Sequence, residues 1–109
     1  MSKMLAGLAV CLGLALNAAA QDAKVAQGEK VYADQKCALC HSIGDKGNKK
    51  GPLDGVGTKL KAGELREWIV DAKGMTVKTK ATRKPDMKSY ALPKEDVDAL
   101  VAYMATFKK

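Results

Sequence analysis

Cys37-Ala38-Leu39-Cys40-His41 places two thiols three positions apart, with an imidazole directly after the second. This is the spacing of covalent haem attachment. Each thiol adds to one haem vinyl group to give a thioether. One short helical turn presents both sulfurs to neighbouring porphyrin edges, and the histidine then lies over the iron. Imidazole suits an axial position because it is a neutral nitrogen donor whose second nitrogen can be fixed by a hydrogen bond. A bare C-x-x-C also fits half a zinc site or a dithiol redox pair. A zinc site needs two more ligands, yet His41 is the only histidine and the only other cysteine is Cys11. A redox pair usually sits in a βαβ context, and the flanks here read as helix. Haem attachment is therefore preferred, with zinc and dithiol chemistry as rivals.

Upstream, residues 1–20 read as a secretory signal peptide. Lys3 supplies the positive start, Leu5 to Leu16 an apolar run, and Ala18-Ala19-Ala20 a small-residue cleavage site. The apolar run is short for a membrane anchor. Cys11 follows Val10 inside that run, which argues against a lipidated cysteine. Cleavage would leave a single domain over 21–109, an 89-residue chain whose formal charge drops from +7 to +6 with the loss of Lys3. A chain of this length buries a modest core, and its two remaining cysteines both lie in the motif. A haem inserted at the centre would supply the missing apolar volume. The expected location is the periplasm, without a stable membrane anchor and as a monomer.

Asp22 to about Lys36 reads as a first helix, with Val25, Gly28, Tyr32 and Gln35 recurring at spacings of three and four. Glycine in a helix interior costs ~1 kcal/mol against alanine, so Gly28 points to a close approach by another element. Ser42 to Gly57 reads as a loop dense in glycine. Within it, Gly51-Pro52 offers a proline carbonyl to accept the His41 Nδ1–H, or else a plain turn. Gly63 to about Lys73 reads as a short helix with Leu65, Trp68, Ile69 and Ala72 on one face. Trp68 is the only tryptophan. Its indole N–H is either a propionate donor or that of an ordinary core residue. Gly74 to Leu92 reads as a long, basic connection, either a plain solvated loop or a rim that steers an acidic partner. Pro93 to Phe107 reads as the last helix, with Val97, Leu100, Val101, Met104 and Phe107 as its apolar stripe and Tyr103 placed to meet Tyr32.

A low-spin electron carrier needs a second strong axial ligand. After leader removal the methionines are Met75, Met87 and Met104. Met104 reads as core. Met87 is preferred because Pro85 stiffens its approach and Tyr90 follows within reach of the pocket. Met75, a lysine or an open site remain alternatives. A thioether opposite histidine raises the reduction potential relative to two nitrogen ligands.

Together these residues resemble the small monohaem class I cytochromes c of bacteria, over nearly the whole mature chain. The resemblance rests on Cys37, Cys40 and His41, on Gly28 and Tyr32 with Leu100 and Tyr103, and on Gly51-Pro52. Trp68-Ile69-Val70-Asp71 followed by Lys73-Gly74, and Pro85-Asp86-Met87 with Tyr90, complete it. Lys88 departs from the apolar residue or proline that many relatives carry after the methionine. The resemblance implies an all-α fold, with three main helices around a covalent haem and the first and last crossed at the glycine. It also implies an exposed haem edge. The expected function is one-electron transport rather than enzymology. Cys37 and Cys40 anchor haem c, His41 and Met87 ligate its iron, and Trp68 and Tyr90 meet propionates. Redox donor and acceptor proteins would dock at a basic haem-edge surface. Few aromatics and an export signal argue against nucleic acid. The rivals are a haem enzyme or gas sensor with an open iron site, and an electron-transfer subunit of a larger complex.

Overall fold

The computed structural model describes the backbone of residues 2–109 and the side chains of residues 18–109. The expected leader, 1–20, and Cys11 within it fall outside the described side chains, apart from Ala18, Ala19 and Ala20. Five α-helices and one short hairpin follow in order: α1 (Ser2–Asp34), β1 (Ser42–Ile43), β2 (Lys46–Gly47), α2 (Val56–Lys59), α3 (Ala62–Val70), α4 (Ala72–Thr79) and α5 (Lys94–Ala105). A 3₁₀ turn, Cys37–Leu39, joins α1 to the hairpin. The chain is thus mostly helical, as expected. No helix among the described residues is long and apolar enough to cross a membrane.

The first helix begins at Ser2 rather than at Asp22. Alanine and leucine are strong helix formers, and no proline precedes Pro52, so nothing breaks the backbone ahead of Asp22. It stops at Asp34, and Lys36 then adopts a left-handed conformation at φ 57°.

Helices α1 and α5 cross at Gly28. A Cβ at this position would overlap the Ala99 carbonyl and the Tyr103 Cβ, so only hydrogen lets the two backbones meet. One turn on, Tyr32 meets Tyr103 edge to face at 5.8 Å between centroids, and Tyr103 meets Phe107 at 4.8 Å. Gln27 donates to Asp96 across the same crossing at 2.9 Å. Val31, Tyr32, Leu65, Ile69, Val97, Leu100, Val101 and Met104 form one buried cluster from α1, α3 and α5.

The segment expected as one helix over 63–73 is two. Helix α3 ends where Asp71 takes φ −141° and ψ 56°, and the Asp71 side chain then accepts the Gly74 N–H at 3.1 Å to cap α4. Helix α4 occupies the start of the expected loop 74–92. Its Lys- and Thr-rich sequence has no apolar period, and the cap is what defines it. The expected loop 42–57 also contains structure. Ser42 pairs with Gly47 and Ile43 with Lys46, and α2 begins at Val56. Gly47, at φ 97°, takes a conformation that other residues rarely adopt.

Candidate haem-binding site

The attachment motif hangs from the end of α1. Left-handed Lys36 turns the chain, and the 3₁₀ turn closes with Cys40 N–H and His41 N–H both donating to the Cys37 carbonyl, at 3.1 and 2.9 Å. Asn48 fixes the turn from outside. Its backbone N–H donates to the His41 carbonyl at 2.9 Å, and its side-chain amide donates to the Leu39 carbonyl at 3.1 Å. Asparagine in a glycine-rich loop is a common turn residue, so nothing in its sequence context singles it out.

His41 Nδ1 lies 3.0 Å from the Gly51 carbonyl. A carbonyl only accepts, so Nδ1 carries the proton and Nε2 keeps its lone pair for a metal. The acceptor expected at Pro52 is therefore one residue earlier. A parallel bridge between Ser42 and Pro52 explains the shift. The Ser42 N–H also donates to Gly51, at 3.1 Å, and Leu53 N–H donates back to the Ser42 carbonyl at 2.9 Å. The ladder aims the Gly51 oxygen at the histidine and leaves Pro52 exposed. Burial pushes the His41 pKa below its ordinary value, the Gly51 bond opposes this, and the nearby Arg83 charge adds to the lowering. The imidazole is thus held as a neutral donor.

A cavity of about 510 Å³ opens beside the turn. Cys37, Cys40 and His41 line one side of it, and Met87, Lys88 and Tyr90 come from the loop after α4. Trp68, Leu65 and Ile69 enter from α3, Leu100 and Met104 from α5, and Leu53, Val56 and Leu60 from around α2. Tyr90 N–H donates to the Ile69 carbonyl at 2.8 Å and pins the loop to α3. Among the three candidate methionines, Met87 and Met104 line the cavity. Met75 sits on α4, only 4 % exposed, and is absent from the lining, so its assignment to a free loop is corrected. Met104 is also a member of the buried cluster.

Two lining groups escaped the sequence. Tyr32 lines the cavity, and its hydroxyl is buried with no hydrogen-bond partner. Burial, with Cys37 and Tyr103 nearby, pushes its pKa up to about 12, so it is a neutral donor in want of an acceptor. Arg83 donates from Nη2 to the Cys40 carbonyl at 2.6 Å. The sequence shows it only as one cation of the basic connection, without a partner of its own.

Both thiols are free, and among the described residues no cluster of three or more His, Cys, Asp or Glu could hold a metal by itself. A family model, Cytochrome c, matches residues 25–108. The chain belongs to the cytochrome c family. No curated protein and no solved structure matches it. Membership brings a covalently attached haem c with its iron and the role of a haem-based electron carrier. The cavity of this cytochrome c fits that group in its own chemistry. Two free thiols and a neutral imidazole border an apolar chamber beside a thioether, and a buried hydroxyl lacks the acceptor that a polar edge would provide.

Proposed function

We propose that this cytochrome c is an exported one-electron shuttle with His41 and Met87 as axial ligands. The observation that carries the proposal is the convergence of Cys37, Cys40, His41 and Met87 on one cavity. Bound haem iron supplies a single-electron Fe(III)/Fe(II) couple. The chain supplies the rest. Cys37 and Cys40 fix the group in place, and the Gly51 carbonyl holds the His41 ring in the metal-binding tautomer. The soft thioether of Met87 favours the reduced state. Leucine, isoleucine and valine side chains of the lining would keep water from the metal, and Trp68, Tyr90 and Tyr32, each with a polar tip, line the same chamber.

Export is proposed from the leader-like residues 1–20. Docking of an acidic redox partner is proposed from Lys36, Arg83 and Lys88, which line the chamber, and Lys84 beside them. If the encounter is electrostatic, its rate falls steeply as ionic strength rises. A rate flat in salt would exclude such docking. Carbon monoxide tests the ligand set: the reduced protein with both ligands in place stays indifferent to it at neutral pH. Ready binding would instead indicate an open iron and an enzyme or sensor.

A further inference from the structure

We propose that Arg83 is a positioning residue that ties the Met87 loop to the haem-attachment turn and so holds the methionine at the metal. This rests on the assignment of Met87 as an axial ligand. The loop has no secondary structure between Ala81, whose N–H donates to Thr76 at 3.0 Å, and Tyr90, anchored on Ile69. Within residues 82–88 the other polar contacts are local. Lys84 pairs with Asp86 at 2.8 Å, and the Lys88 ammonium lies 4.9 Å from the Tyr90 ring centre. Arg83 alone among these described residues makes a hydrogen bond to a distant part of the chain, across 43 positions to the Cys40 carbonyl.

The placement of this bond matters more than its number. The Cys40 carbonyl belongs to the turn that carries both thiols and leads into His41. The Arg83 guanidinium also fills the space beside Gly51, where an added Cβ would strike both it and the Cys40 carbonyl. Gly51 is the residue whose carbonyl orients His41. One planar side chain therefore touches both segments that set the histidine, four residues ahead of the methionine in a loop with no other long-range tether on that side. Arginine suits the task because its charge persists at any working pH and its fork keeps its geometry.

A thioether is an uncharged ligand on a mobile side chain, so its residence depends on where the loop is held. Without Arg83 the loop is anchored only at its ends, and conformers with Met87 off the metal gain population. Exogenous imidazole binds only those conformers, so its apparent affinity reports their fraction. In the holoprotein, Arg83→Gln is expected to bind imidazole roughly tenfold more tightly, the scale of one charge-assisted bond at a solvent-facing site. The red charge-transfer band of methionine-bound ferric haem should weaken in parallel. Arg66→Gln, which breaks a contact between α3 and α5 away from the loop, should leave the imidazole affinity unchanged.

Equal imidazole affinity in Arg83→Gln and wild type overturns the proposal. An equal gain in both variants does so too, since it signals general loosening. Absence of the red band in wild type shows instead that the Met87 assignment itself has failed, and the tether falls with it. If Arg83→Gln does not mature, the wild-type holoprotein decides by NMR. Slowly exchanging Arg83 guanidinium protons are the expected result, and a freely rotating, rapidly exchanging guanidinium overturns the tether.

Discussion

The attachment turn and the methionine loop face one another across the same cavity but are held in opposite ways. Residues 36–53 carry hydrogen bonds among near neighbours: Cys37 to Cys40 and His41, Asn48 to Leu39 and His41, and Gly51 to Ser42 and His41. Residues 81–92 have no such mesh and lean on Arg83, on Ser89, whose hydroxyl accepts from the Lys73 N–H, and on Tyr90. The histidine side is built to stay fixed. The methionine side is built to depend on the rest of the molecule. That contrast suits the ligand pair proposed above, with a strong ligand that arrives with the anchoring thiols and a weaker one delivered from elsewhere.

The largest test of the contrast is Gly51→Ala. Its Cβ would collide with the Cys40 carbonyl and with Arg83, striking the rigid turn and the loop tether together. The expected loss is about 3 kcal/mol of unfolding free energy in denaturant titration, within the range for steric insertion into packed backbone. A loss below ~0.5 kcal/mol would mean that the turn is not rigid. Met87→Ala should separate the two sides. The fold and the thioether links persist, the methionine band disappears, the potential falls and the reduced protein binds carbon monoxide, all read by optical titration. Asn48→Ala removes two exposed side-chain bonds, the amide N–H to the Leu39 carbonyl and the Oδ1 that accepts from the Lys50 N–H, and acts on the turn alone. It is expected to cost about 1 kcal/mol and to leave the red band intact.

The smallest effect lies outside both regions. Asp98 on α5 is bonded by Lys94 at 2.9 Å and by Arg66 on α3. Lys94 first, then Arg66, hold its carboxyl below the ordinary carboxylate range. A depressed folded-state pKa stabilises the fold above the unfolded-state value, and that stability drains away as pH falls through the folded value. Asp98→Asn should therefore flatten the acid limb of stability slightly, seen as a smaller drop in melting temperature on acidification. An unchanged acid limb would remove Asp98 from the account.

The contrast also explains what could be read in advance. The rigid side is encoded locally. Cys37, Cys40 and His41 are legible because their chemistry depends on spacing along the chain. Gly28 and Tyr32 are legible because helical periodicity puts them on one face with a residue that only a close crossing explains. The carbonyl partner of His41 lies one residue before the expected Pro52, because the Ser42–Pro52 bridge that aims Gly51 is a tertiary fact. Helix α4 is not legible in the sequence because a side-chain cap at Asp71, not an apolar stripe, starts it. Met75 accordingly looked like a loop residue while the fold buries it. Arg83 sits among lysines of the same charge. Only the folded chain shows that this one exposed cation reaches a backbone carbonyl of the attachment turn.

Met87 is proposed to complete the coordination that His41 begins. This ligation is tested most directly by NMR of the reduced holoprotein with isotope-labelled methionine methyl groups. A methyl held against the metal lies over the porphyrin face and is shifted far upfield by its ring current. One such signal is expected, absent in Met87→Ala, with Met75 and Met104 outside that extreme range. A shifted methyl that survives Met87→Ala, or no shifted methyl at all, would contradict it.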